Sequence, residues 1–149
     1  MSDMSELIPS ARGAVQAWHC DHMGHMNVMW YVGRFDEATW NLLSLIGLTG
    51  NYFREQKRGM VAVEQRLQYR RELLAGDIFS IASGVLEVKP KSLLFFHEMR
   101  HVLTGEIAAT SRLTGVHLDT SSRKSVPFAP ALLEKAREFV RPYDFGDRA

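Results

Sequence analysis

Residues 27–47 read NVMWYVGRFDEATWNLLSLIG, and the fold turns on how this stretch is read. Asn27 has the side-chain oxygen of a good helix N-cap, able to accept from an early free amide. Gly47 suits the position just past a helix C-terminus. Between them, over 28–46, Val28, Met29, Trp30, Tyr31, Val32, Phe35, Ala38, Trp40, Leu42, Leu43, Leu45 and Ile46 make the segment apolar on nearly every side. Such a helix is a buried one, and in a small domain something must wrap it. Arg34, Asp36, Glu37 and Asn41 interrupt the run, whereas a membrane span wants about 20 apolar residues with few charges.

The wrapper lies downstream. Residues 60–72 alternate, with Val61, Val63, Leu67 and Tyr69 on one face and Glu64, Arg66, Gln68 and Arg70 on the other. Period two predicts a half-buried strand. Further strands are expected at 78–88 after Gly76-Asp77, at 93–103 after the break Lys89-Pro90-Lys91-Ser92, and at 106–118 after Thr104-Gly105. Short connections between long strands mean antiparallel hairpins. Residues 119–124 form a polar loop, and Pro130 suits the first turn of a terminal helix with Leu132, Leu133, Ala136 and Phe139 on one side. Upstream, residues 12–19 read weakly as a first strand and 20–27 as a loop. The expectation is an α+β domain: one curved antiparallel sheet of about five strands around one long helix.

The chain has 149 residues, a single-domain length, with a core over about 12–140 and a tail at 141–149 docked through Tyr143 and Phe145. Eighteen Lys plus Arg against 17 Asp plus Glu leave a net charge of +1, not the basic excess of a nucleic-acid surface. Cys20 is the only cysteine, so no intramolecular disulfide forms, which fits a reducing compartment. Residues 1–12 lack the pattern of a secretory signal. The expected setting is cytoplasmic, with neither nucleic acid nor membrane as partner.

The loop before the helix, WHCDHMGHMN at 18–27, gathers a carboxylate, three imidazoles, a thiol and a carboxamide. A helix N-terminus offers free N–H groups and partial positive charge, a setting that stabilises an oxyanion developing on a carbonyl. Asp21 beside it suits a general base or a nucleophile. Together these suffice to cleave an activated acyl group such as a thioester. Other readings stay open at the same residues. Asp21 also suits a turn cap, and Asn27 a helix cap alone. His19, His22 and His25 with Asp21 suggest a metal site, although Gly24 sits among them and no Glu-X-X-His or Cys-X-X-Cys accompanies them. Cys20 is a weaker candidate nucleophile.

Asp21-His-Met-Gly-His-Met-Asn27, then Tyr31 and Phe35-Asp36-Glu37-Ala38, resembles the first signature of the hotdog-fold acyl-CoA thioesterases of the 4-hydroxybenzoyl-CoA thioesterase superfamily. Tyr69-Arg70-Arg71-Glu72 followed by Gly76-Asp77 is similar to the second. The resemblance covers roughly residues 12–120. It implies Asp21 as base or nucleophile, Gly24 as the glycine that turns the loop into the helix, and amides near Val28 as the group polarising the thioester carbonyl. It also implies His25 and its acidic partner Glu72 as catalytic in one branch. Met23 stands where that branch has Asn, so the full carboxyl–amide–imidazole set is incomplete. Asn27 is a candidate for orienting water or substrate, and Glu64 for acting across a subunit interface. Tyr31, Arg70 and Lys91 are candidates for substrate binding, with Arg71, Lys89 and Arg112 as further cations for CoA phosphates. The implied substrate is an acyl-CoA, with coenzyme A as part of the substrate and no other cofactor or metal. The implied assembly is a homodimer or homotetramer. A non-hydrolytic acyl-CoA-binding protein and a hotdog enoyl-CoA hydratase are the alternatives.

Overall fold

In the computed structural model, residues 6–146 are described. The elements run β1 (Ile8–Ala14), a 3-10 turn (Ala17–His19), α1 (Val28–Ile46), α2 (Gly50–Gln56), β2 (Arg58–Tyr69), β3 (Ile78–Val88), β4 (Ser92–His101), β5 (Ile107–Asp119) and α3 (Pro130–Arg137). The five strands form one sheet in the order β1-β3-β4-β5-β2, every neighbouring pair antiparallel. This is the hotdog arrangement, a sheet curved around α1.

Both ends of α1 fall where the capping residues put them. The Met29 N–H donates to Asn27 Oδ1 (3.0 Å), and Gly47 takes the left-handed conformation (φ 110°) that closes a helix. The helix buries Tyr31, Phe35, Ala38, Leu42, Leu43 and Ile46 and packs on β1 and β3. Its other side leaves Val28, Met29, Val32, Trp40 and Leu45 exposed. The all-round apolar pattern is therefore not all-round burial within one chain, because the sheet covers a single face.

The first strand lies earlier than expected, at 8–14 rather than 12–19. Pro9 belongs to it, tolerated because β1 is an edge strand, while Trp18 and His19 fall in the 3-10 turn. The seven-residue α2 was not expected. Thr49 caps it by accepting the Tyr52 N–H (3.1 Å).

Strand β2 departs from simple alternation. Ala62 pairs with Gly115 and Glu64 with Thr114, so Val63 is an extra, bulged residue. The bulge reverses the parity around it. Met60 and Ala62 share the concave face with Gln65, Leu67 and Tyr69, and the Gln65 Nε2 donates to the inward Ser111 Oγ (3.1 Å). Val61 joins Glu64, Arg66, Gln68 and Arg70 on the convex face, correcting the grouping expected from alternation.

A polar chain crosses the core. Ser10 Oγ lies 2.6 Å from Ser83 Oγ, Ser83 Oγ 2.6 Å from His97 Nδ1, and His97 Nε2 2.8 Å from Thr39 Oγ1. It ties β1, β3 and β4 to α1 with each buried group partnered. The tail docks as expected. The Tyr143 O–H donates to Glu98 Oε2 (2.6 Å), and its ring stacks on Phe96 (centroids 4.4 Å). Residues 147–149 of that tail lie outside the described ones.

Candidate active site

The loop that leads into α1 is a turn built by Asp21. The Gly24 N–H donates to the Asp21 carbonyl (3.0 Å) and the Asp21 N–H to the His25 carbonyl (3.1 Å). Asp at the first and Gly at the last position is the composition that such a turn favours, and Gly24 has φ +82°. Asp21 Oδ1 accepts the Met23 N–H (2.9 Å), so the turn-capping reading of Asp21 describes one of its two oxygens.

The second oxygen faces the helix. Asn27 Nδ2 approaches Asp21 Oδ2 at 3.4 Å while Asn27 Oδ1 caps Met29. One carboxamide thus links the carboxylate to the first turn of α1. The Trp30 N–H is taken by the Asn27 carbonyl (2.9 Å). The Val28 N–H, the first of the helix, has no acceptor among the described residues. Val28 is 58% exposed, so this amide lies beside an accessible surface. Replacing Asn27 by Ala is expected to lower stability by about 1 kcal/mol through loss of the cap, read as a shift in urea midpoint. Asn27→Ser, which keeps a capping oxygen, is expected to recover most of it.

Residues 72–74 return alongside the loop. The Met26 N–H donates to the Leu73 carbonyl (2.8 Å) and His25 bridges to Leu74. This pairing sets His25 Nε2 3.7 Å from Glu72 Oε1. A cleft of about 360 Å³ opens here, lined by His25, Met26, Val28, Tyr31, Tyr69, Arg70, Arg71 and Glu72. Tyr31 and Tyr69 meet edge to face across it (5.2 Å). Burial pushes the Tyr31 phenol up to about 12, with a backbone hydrogen bond at Leu73 opposing, so it remains a neutral hydroxyl. Asp21 and Asn27 are not part of the cleft wall. Asn27 lies in sequence between Met26 and Val28, which line the cleft, and Asp21 is linked to that stretch through Asn27.

Two expected residues lie elsewhere. Glu64 is exposed on the convex face, opposite Leu67 and Tyr69 as alternation placed it. Lys91 sits in the β3–β4 turn. That end of β5, at Val116, is about 24 Å along the strand from Ala109, the partner of Tyr69. Arg70 borders the cleft, but its guanidinium donates to Gln68 Oε1 and to the Phe145 carbonyl of the docked tail. Arg71 is paired with Glu106 (2.7 Å). Sequence reading passed over Tyr69 and Met26 as cleft walls, although Tyr69 was visible as the residue opening the second signature.

No three His, Cys, Asp or Glu side chains converge as metal ligands among the described residues. His19 is buried, its Nδ1 accepting the Gln16 N–H (2.9 Å), and His22 is exposed. Cys20 Sγ lies 3.8 Å from the Gln16 carbonyl. No helix among the described residues is long and apolar enough to cross a membrane.

Residues 15–136 match the family profile described as the thioesterase-like superfamily. An L-carnitine dehydrogenase/betainyl-CoA thioesterase of Agrobacterium fabrum is 30% identical over 113 residues, 76% of this chain and 23% of the relative. The chain thus spans about a quarter of the length of such relatives. The long-chain acyl-CoA thioesterase FadM of Escherichia coli is 24% identical over 127 residues, 85% of this chain and 96% of that one. Among solved structures, the hypothetical protein SAV2348 from Staphylococcus aureus in complex with CoA superposes with a TM-score of 0.85 at 19% identity, covering 97% of this chain and 91% of that one.

Proposed function

The chain belongs to the thioesterase-like superfamily, and on that premise we propose that it hydrolyses an acyl-CoA thioester to a free acid and CoA. The observation that carries this reading is the Asn27 bridge, which holds the Asp21 carboxylate beside a first helix turn whose Val28 N–H is unpartnered.

The thioester carbonyl oxygen accepts the Val28 N–H, where backbone donor and helix dipole favour developing negative charge. Asp21 takes a proton from water as the water oxygen bonds to the carbonyl carbon. The carbon–sulfur bond then breaks, and the proton passes to the departing CoA thiolate. Direct attack by Asp21, forming an anhydride that water hydrolyses, uses the same placement. Asn27 orients the carboxylate, and His25 with Glu72 forms the polar wall of the cleft. The reaction requires no resident metal or redox cofactor.

The site is completed by a second copy of the chain. Strand β2 is a sheet edge with unpaired backbone groups, and α1 leaves Val28, Met29, Val32 and Trp40 exposed. Contiguous apolar surface of this kind marks an association face. A homodimer, or a dimer doubled to a tetramer, buries it and brings a neighbour's strands to the cleft. Sedimentation is expected to give a dimer or larger, and a monomer at micromolar concentration would remove this part.

The test is thiol release from a panel of acyl-CoA and acyl-carrier substrates, the two curated relatives being named for long-chain and betainyl groups. Release from at least one ester is expected. Saturable binding with no release across the panel would instead favour a ligand-binding protein. Loss of enoyl absorbance with crotonyl-CoA would favour a hydratase.

A further inference from the structure

We propose that the segment after α3 is a positioning strap for the cleft: by taking the Arg70 guanidinium it keeps that cation off Glu72 and leaves the Glu72 carboxylate to His25. This rests on the thioester reading above, because the His25–Glu72 pair matters only as a wall of that cleft. The strap is residues 140–146, beyond the 15–136 that match the family profile.

The sheet is shaped to hold it. Val140 pairs in parallel with Val85, and the Arg141 N–H donates to the Val85 carbonyl (2.9 Å). The chain then crosses the convex face over Gly84, where a Cβ would stand 2.9 Å from Arg141 Cβ and 2.8 Å from the Phe96 ring. Beyond the Tyr143 stack on Phe96, Phe145 meets Phe96 edge to face (6.0 Å) and lies under the Arg112 guanidinium (5.9 Å). At the end of β2 the Phe145 carbonyl accepts from Arg70. A backbone bridge, an aromatic stack and the buried Glu98 carboxylate thus fix where this one acceptor stands.

The strap withholds one of two arginines from Glu72. Arg70, Arg71 and Glu72 all line the cleft. Residues two apart are at most ~7 Å apart along the chain, within reach of an arginine side chain. Glu72 Oε1 is 3.7 Å from His25 Nε2, and the Glu72 side chain is 71% exposed. A guanidinium always carries its charge and binds a carboxylate through two N–H groups, so it would displace so long a contact. Arg71 is already taken by Glu106. Arg70 is taken by Gln68 Oε1 and the Phe145 carbonyl. Both of these acceptors are uncharged, so Arg70 is held by geometry and would move to a carboxylate once the strap is gone.

The test is a cycle between the strap and Arg70. Ending the chain after Pro142 is expected to lower kcat for thioester hydrolysis about 5-fold. On an Arg70→Gln background the same shortening is expected to cost less than about 2-fold, since no cation is left there to capture Glu72. A strap that served stability alone would cost the same on both backgrounds. Tyr143→Ala with Phe145→Ala, in the chain of full length, undocks the strap without shortening it and is expected to behave alike, so the test survives if the short chain misfolds. The cycle of Arg70→Gln and Glu72→Gln, read by urea unfolding, needs no turnover. A coupling of about 3-fold in the unfolding equilibrium constant is expected in the strapless chain and none in the full one. Equal cost of shortening on both backgrounds in folded proteins, no cost on the wild-type background, or equal coupling with and without the strap would overturn the proposal. Coupling confined to the strapless chain, without thiol release from any ester, would retain the strap and remove the hydrolase. Thiol release with equal coupling in the two chains would do the reverse, and equal coupling without release would remove both.

Discussion

Asp21→Asn is expected to lower kcat for thioester hydrolysis by about 10³-fold, the scale of a lost general base, while leaving stability within about 0.5 kcal/mol. The substitution is close to isosteric. An Asn oxygen at position 21 still accepts the Met23 N–H, and the loop keeps its Asp21–Gly24 and Asp21–His25 backbone bonds. Only the charge beside the helix tip is removed, together with the capacity to take a proton or attack carbon. KM is expected to change little, because Asp21 is not part of the cleft wall. Thiol release under saturating substrate, with urea unfolding of the same preparation, separates the two quantities. Near-wild-type kcat would remove Asp21 from the chemistry, and a large loss of stability would reduce it to the turn cap.

The second large effect is an acid-dependent loss of stability centred on His97. The residue is fully buried, stacked with Phe35 (5.8 Å) and bonded to Ser83 and Thr39. Burial pushes its pKa down from 6.5 to about 3. The unfolded chain therefore binds a proton at a pH where the folded chain does not. The full contribution of His97 is present above pH 6.5 and is lost progressively as the pH falls toward about 3. The slope approaches ~1.4 kcal/mol per pH unit, so about 2 kcal/mol disappears between pH 7.5 and pH 5. Burial lowers His117 as well, with the same sign. Urea midpoints across that range are expected to fall in the wild type and to fall less in His97→Asn, whose stability at pH 7.5 is already reduced. Equal pH dependence of the two proteins would contradict the assignment.

How much of this was legible in the sequence depends on where the deciding interaction is local. Helix α1 was, because Asn27 and Gly47 are caps whose chemistry acts within one turn. The loop before α1 was legible in part. An Asp-to-Gly turn followed by an Asn cap is readable as such, yet the Asn27 carboxamide reaching back to Asp21 is a fact of side-chain direction. The parity of β2 was not legible. A single bulge at Val63, set by pairing with β5, moves Val61 to the convex face and Ala62 to the concave one. Glu64 was expected on the face opposite Val63, Leu67 and Tyr69, as a candidate for acting across a subunit interface, and it stands opposite Leu67 and Tyr69. The place of Lys91 is set at longer range, since the hairpin carries it to the end of the strands away from the cleft of its own chain. Arg70 borders the cleft as expected, but its partners come from a tail 75 residues away in sequence. The apolar girth of α1 was read correctly as apolar, and its exposed half becomes intelligible once a second copy is allowed for.

The placement of a thioester carbonyl against the first amide of α1 is most directly tested by infrared difference spectroscopy. The sample is Asp21→Asn saturated with an acyl-CoA labelled at the carbonyl carbon, so that turnover is suppressed. The expected result is a bound carbonyl band moved to lower frequency than that of the free ester, as donation from Val28 N–H polarises the bond. A band at the free-ester position in a demonstrably bound complex would contradict it.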